Sequence, residues 1–384
     1  MVGSPSQAAR GDDAAARPVF AKGRDLSHAS RVLESWLPER VGATEVRVDN
    51  LRYPTGAGVS NETILFEAAW RQSGHDLRES LVLRVAPRPG PYQLFLDPQF
   101  EAQYHLLATL HASGLVKVPE VLWLERDASH LGAPFFVMRQ VPGRVPVSMP
   151  VYNATGWLFD ATPAQRRRVW ETSVDGLASI HRVPLELIGF LDHPERGPTG
   201  FDQLFEYTRR HYEWAAGGRR YVVPELHLAW LHANLPRRRP TGLSWGDARM
   251  GNMMFDENFE LAAIMDWEQA SLGGPLQDLA WWLFFDVFHA LEHPRLDGLG
   301  SRQETIERWT ELTGLEVHDL LWYEVHAGVR LEIFPVHAAS RADGPRAGGQ
   351  DRLSDPNDNH FTRLVCELLD LPPPSELLRD RGRR

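Results

Sequence analysis

Apolar residues follow strand spacing in the first third of the chain and helical spacing in most of the rest. A first helix starts near Asp25 or Ser27, carries Val32, Leu33, Trp36 and Leu37 on one face, and meets an end or a kink at Pro38. Residues 45–51, 63–70 and 80–86 have the branched and apolar content of strands, and TGAGVSN joins the first two. A helix over about residues 98–112 follows, then two further strands over 121–125 and 134–141, with Pro142-Gly143 as a break.

From residue 163 the period is helical. QRRRVWETSVDGLASIHRV, FDQLFEYTRRHYEWA and PELHLAWLHANLP each carry an apolar face, and QETIERWTELTGLEVHDLLWYEVHAGVRLEIF reads as two helices broken at Thr313-Gly314. Residues 338–360 form a Gly, Asp and Arg rich connector before one helix that holds Leu364, Val365, Leu368 and Leu369. The first 24 residues lack apolar periodicity and read as a disordered tail. The pattern predicts an α+β chain with a β-rich lobe over residues 25–141 and a mostly helical lobe over 142–384.

Composition narrows the function. With 384 residues, 43% of them hydrophobic, and 13 Trp, the chain can fill two cores. A formal net charge of -10 argues against general nucleic-acid binding, because duplex phosphates would be repelled, and mildly favours cationic small substrates. Cys366 is the single cysteine, which excludes an intrachain disulfide and a cysteine-rich zinc site and fits a reducing compartment. None of the 16 histidines has His-Glu-x-x-His spacing. The opening residues have no apolar core of the signal-peptide kind, and the apolar run over 279–291 is too short for a membrane span and contains Asp286, so a soluble cytoplasmic protein without a membrane partner is expected.

The chemistry concentrates in LSWGDARMGNMMFDENFELAAIMDWEQASLGGPLQDLAWWL, residues 243–283. A Gly246-Asp247 turn can present one carboxylate to a substrate hydroxyl, with Asn252 folded back to offer a neutral oxygen. Residues 253–255 and 261–264 read as short strands around the turn formers Asp256, Glu257 and Asn258, and this hairpin returns Asp266 to the end where Asn252 lies. Magnesium needs only one or two protein oxygens besides phosphate and water, so Asn252 and Asp266 with ATP suffice, leaving Asp247 free as base.

Trp-Gly-Asp-x-x-x-x-Asn, followed by Asp-Trp-Glu, Gly-x-Pro and Asp-Leu-Ala, resembles the aminoglycoside phosphotransferase family, relatives of protein kinases. The resemblance implies a bilobal protein-kinase-like fold with a five-stranded antiparallel amino-terminal lobe. It also implies transfer of the γ-phosphoryl of ATP, with Mg2+, to the hydroxyl of a small acceptor. By resemblance, TGAGVSN matches a Gly-x-Ser-Asn loop over the phosphates, with Gly58, Ser60, Asn61 and Thr63 as contacts. Arg84 stands where the family places a phosphate-binding lysine, and the acid that would hold it falls on Glu101 or on Gln103. Met138 matches the inner wall of the hinge, where Arg139, Gln140 and Val141 would present backbone groups to adenine. Asp278 matches a helix-start aspartate that braces the catalytic loop, and His181 a core histidine.

Two further positions depart from the family pattern. Trp245 replaces the usual histidine two residues before the base and brings only one donor, and Gly274 replaces an aspartate. Acceptor-site carboxylates are sought on the carboxy-terminal helices, at Glu324 and Glu332, with Asp286 before them. The wider pattern looks like the branch related to kinase domains that accompany acyl-CoA dehydrogenases, which favours a hydroxy-acyl or amino-alcohol acceptor over an antibiotic. A nucleotide-binding pseudokinase, sensor or scaffold, is the reading of another class.

Overall fold

The structure, a computed structural model, describes residues 23–54, 61–88, 93–148, 150–341 and 355–381. Gly58 and Ser60 lie outside the described residues.

Helix α1 (Leu26–Val41) begins at Asp25, whose side chain accepts the N–H groups of Ser27 and His28, and closes on Gly42 at φ 67°. It runs through Pro38, where a kink or an end was expected. Pro38 forfeits its own helical N–H bond and crowds the preceding turn, but the stripe of Leu33, Trp36 and Leu37 stays buried on the sheet below and holds the helix there.

That sheet is antiparallel, in the order β1-β2-β3-β5-β4: β1 (Val46–Arg52), β2 (Glu62–Gln72), β3 (His75–Val85), β4 (Val121–Glu125) and β5 (Phe135–Arg139). The third strand starts five residues earlier than its apolar content indicated. Ser73 (φ 54°) and Gly74 (φ 82°) make a two-residue turn whose positive φ values suit a twisted hairpin, so β2 and β3 pair along their whole length.

Alternation along the strands gives the sheet two faces. Phe135, Val137, Leu81, Leu83 and Val85 pack toward α1, while Phe136 joins the larger core under helix α2 (Phe100–Ser113). Arg84 pairs with Phe136 on one side and with Thr63 on the other, so it points to the α2 face and not into the α1 core.

The helical part follows β5 through a single turn α3 (Trp157–Asp160), then α4 (Pro163–Ile180), α5 (Gly200–Ala216), α6 (Val222–Ala233), the hairpin β6 (Met253–Phe255) and β7 (Leu261–Ile264), α7 (Pro275–His289), α8 (Arg302–Thr313) and α9 (Leu320–Ser340). Helix α9 is buried over most of its length and packs on α5, α6 and α7. Where one terminal helix was expected the structure has two, α10 (His360–Leu368) and α11 (Pro374–Arg381). Residues 372–374 are three prolines, which stop the first helix and open the second. The five-stranded antiparallel sheet joined to a helical region is a bilobal protein-kinase-like fold. Among the described residues no helix is long and apolar enough to cross a membrane.

Candidate active site

Gly246 shapes the loop that carries Asp247. Its φ is 94°, and a Cβ there would sit 2.3 Å from the backbone oxygen of Gln269, so neither the conformation nor the space admits a side chain. Asp278, in the first turn of α7 and fully buried, holds this loop from below. Its Oδ1 accepts from Ser244 Oγ at 2.9 Å and Gly246 N–H at 2.8 Å, and its Oδ2 from Trp245 N–H at 2.6 Å. The Nε2 of His181 lies 3.0 Å from Oδ2, while its Nδ1 accepts from Trp309 Nε1 at 2.8 Å, which fixes Nε2 as the donor. Histidine 181 is thus a core residue attached to the brace.

Three donors converge on the Asp247 carboxylate. Oδ1 accepts from Trp281 Nε1 at 2.9 Å and Arg249 Nε at 3.0 Å, and Oδ2 from Asn252 Nδ2 at 2.7 Å. The Asn252 amide nitrogen also donates to the Asp247 carbonyl at 3.1 Å. Its amide oxygen has no hydrogen-bond partner among the described residues and remains available to a ligand.

The β6–β7 hairpin pairs Met253 with Ile264 and so returns the chain beside Asn252. Met265 is then pinned at both peptide groups: its N–H donates to the Asn252 carbonyl at 2.9 Å and its carbonyl accepts from Trp245 Nε1 at 2.8 Å. The single donor of Trp245 therefore fixes the backbone immediately before Asp266. Asp266 itself has φ 60°. Burial raises its carboxyl above the ordinary value, Arg84 opposes this, and the neighbouring charge of Asp247 adds to it.

Arg84 reaches Asp266, with Nη2 3.5 Å from Oδ1, and its buried Nε has no partner among the described residues. Neither expected partner bonds to it. Glu101 lies on the outer face of α2, paired with Arg126 at 2.9 Å, and Gln103, on the buried face, spends its amide on the Pro98 carbonyl at 3.1 Å. The two residues sit two positions apart on a helix, so one faces solvent when the other faces the core.

Asn61 is 3% exposed and donates to Glu268 Oε2 at 2.7 Å, bringing the end of the glycine-rich linker against the segment after Asp266, while its own Oδ1 is buried without a partner among the described residues. Thr63 follows on β2 opposite Arg84. At the hinge Met138 pairs with Val82, and Arg139 is held between Glu79 and Glu120. The N–H groups of Arg139 and Gln140 are taken by the carbonyls of Glu120 and Ser80, both at 2.9 Å. Pro142 has none, so the N–H of Val141 is the one left over in this segment among the described residues.

Sequence reasoning missed two residues here. Arg249, its side chain 21% exposed, also donates to Ser148 Oγ at 2.7 Å; burial works against its charge, and Asp247 more than compensates, raising the guanidinium above its ordinary value. The signal was present, because it is the only basic residue of the loop and stands two places after Asp247. Trp281 lies three residues after Asp278 on α7, so one helix face supplies both the brace and the donor to Asp247.

The acceptor-site carboxylates do not gather. Glu324 pairs with Arg302, Glu332 is buried against His227, and Asp286 pairs with Arg295, with burial raising its carboxyl to about 6. Among the described residues no cluster of three His, Cys, Asp or Glu is placed to hold a metal. The donor set still fits magnesium, which takes few protein oxygens, since the hairpin brings the Asp266 carboxylate and the Asn252 amide to the same end.

Residues 54–315 match the sequence model of the phosphotransferase enzyme family, more than half of the chain, and the chain belongs to that family. It is an enzyme of the class that transfers a phosphoryl group to a hydroxyl of a small molecule. Chicken acyl-CoA dehydrogenase family member 11 is 30% identical over 266 residues, which are 68% of this chain and 30% of that protein. The chain spans less than a third of the length of the acyl-CoA dehydrogenase relatives it matches. In structure it is similar to a Ralstonia eutropha protein assigned as an aminoglycoside phosphotransferase, with TM-score 0.64 and 20% identity over 91% of this chain and 98% of the other. It is also similar to a thermostable aminoglycoside phosphotransferase mutant in ternary complex with AMP-PNP and hygromycin B, with TM-score 0.52 and 19% identity over 79% of this chain and 91% of the other.

Proposed function

We propose that the protein moves the γ-phosphoryl group of ATP, with magnesium, onto the hydroxyl of a small acceptor. The observation that carries this reading is the convergence of Asp247, Asn252 and Asp266, from a loop and a hairpin, with the cations Arg84 and Arg249 on either side. A phosphoryl group in transfer is anionic and loosely bonded, so positioning and charge neutralisation do most of the work.

Asp247 orients the acceptor hydroxyl and takes its proton. Trp281, Arg249 and Asn252 fix the direction of its carboxylate. Asn252 through its amide oxygen and Asp266 through its carboxylate would hold magnesium, which would supply charge neutralisation for the phosphates. Arg84, now beside Asp266, has a free Nε for a phosphate oxygen, and Arg249 offers a second cation next to the base. Asn61 and Thr63, with Gly58 and Ser60, cover the phosphates, and the Val141 N–H is the group left for adenine beside Met138, Arg139 and Gln140. A protein of the same fold that holds AMP-PNP together with hygromycin B supports a nucleotide next to an acceptor.

The test is magnesium-dependent ATP turnover against a panel of hydroxylated acceptors. Asp247→Ala should remove nearly all turnover and leave nucleotide binding largely intact, whereas Asp266→Ala should weaken binding of the magnesium nucleotide itself. Wild-type turnover in both variants would defeat the reading.

A further inference from the structure

We infer that the acceptor carries an anionic group, a carboxylate or a phosphate, and that Arg330 receives it in the cleft between α5, α9 and the segment that follows Asp266. This rests on the phosphotransfer reading above and names the chemistry of its acceptor.

The cleft is partly open to solvent and is lined by Arg196, Gln203, Tyr207, Glu268, Gln269 and Arg330, among others. Arg330 is 7% exposed, yet no carboxylate among the described residues pairs with it. Its Nη2 donates to two neutral oxygens, the Gly246 carbonyl at 2.9 Å and Gln269 Oε1 at 2.8 Å. Its Nε and Nη1 have no hydrogen-bond partner among the described residues. Burial draws the guanidinium down to about 10, still protonated near neutrality, while the carboxylates of Asp278 and Asp247, beyond ion-pair distance, work against that shift. An anion in the cleft would meet two unused donors in the fork geometry that suits carboxylate and phosphate.

Among the described residues the other cations of the cleft are engaged elsewhere. Arg196 is paired with Asp97 at 2.8 Å, His193 faces Glu195 at 3.4 Å, and the Glu268 carboxylate accepts the Asn61 amide. Position supports the assignment too. Arg330 holds the carbonyl of Gly246, the residue before Asp247, so an anion on Arg330 lies next to the proposed base. A small molecule bearing an anionic group a few bonds from a hydroxyl would reach both.

Arg330 also lies 4.4 Å above the Trp281 ring, and a purely structural brace would be the competing account. Binding titrations with the protein saturated with magnesium ADP separate the two. The probes are 3-hydroxybutyrate, its neutral amide, glycerol 3-phosphate and ethanolamine. At least one of the two anions should bind saturably, and tighter than the amide and ethanolamine; which anion binds tighter separates carboxylate from phosphate. Arg330→Met should weaken the anion by about tenfold or more, Arg330→Lys should restore part of it, and Arg330→Gln should weaken it likewise should the methionine variant fail to fold. Equal affinity across the charges, no saturable anion binding, or anion binding unchanged in the folded Arg330 variants would each overturn the proposal. Arg330-dependent anion binding without any ATP turnover would instead sink the phosphotransfer reading and leave the anion site standing.

Discussion

The indole of Trp281 donates from Nε1 to Oδ1 of Asp247 at 2.9 Å, and the ring that makes this bond lies under the guanidinium of Arg330. The carboxylate proposed as base is therefore aimed by a side chain on α7, which α9 in turn holds in place. Trp281→Phe keeps a ring beneath Arg330 and deletes the donor, at the cost of a small cavity in a buried site. A hydrogen bond to a charged group contributes about 1.5–3 kcal/mol, so kcat should fall by about tenfold or more with nucleotide affinity unchanged. Steady-state kinetics with a nucleotide-binding titration checks this; an equal loss in both would mean that Trp281 supports the whole cleft.

Asp278 is the acceptor for four donors, two of them backbone N–H groups of the catalytic loop. Asp278→Ala would leave those donors buried and unsatisfied, a loss of about 3 kcal/mol or more of folding stability. Chemical denaturation should show it, with Asp278→Asn falling between the variant and the wild type because one oxygen remains.

Arg249 ties Asp247 to Ser148. If its charge serves the phosphoryl group, Arg249→Met should lower kcat far more than Arg249→Lys does, while Ser148→Ala, which removes only the tether, should cost a few-fold. Equal kcat in the methionine and lysine variants would show that charge at this position is not used.

His227 joins α6 to the end of the chain: Nδ1 lies 2.8 Å from Glu332 and Nε2 lies 3.5 Å from the Cys366 thiol. Burial alone would lower this imidazole, but the Glu332 charge and the Cys366 contact outweigh it and raise it from 6.5 to about 10. Because the folded value is the higher one, the stabilisation is complete below pH 6.5 and disappears as pH rises through about 10. Urea midpoints across that window should fall for the wild type and stay comparatively flat for His227→Gln. Parallel curves would show that the imidazole is not charged in the folded protein.

Much of the site was legible because its parts are close in sequence. The Asp247-to-Asn252 spacing and the hairpin turn at Asp256 are local features, governed by turn chemistry and strand period, and the structure has each where the pattern placed it; the bracing Asp278 was implied by the family resemblance, and it bonds to the catalytic loop. The face of Arg84 followed in the same way from alternation along β3. Locality failed where two elements far apart in the chain decide the contact. Arg84 faces Asp266 across the cleft while Glu101 turns outward, and nothing in the helix pattern of residues 100–113 distinguishes which face lies toward β3. Arg330 is the clearest case: within α9 it is one of three charged residues, with Glu324 and Glu332, in a largely apolar helix, and only the packing of α9 on α7 and the catalytic loop makes it a buried cation beside Gly246. The sequence determined the elements, the loop and its three polar groups by itself. The burial of a charge and the partner it is denied depend on the packed environment, and the tertiary structure alone decided them.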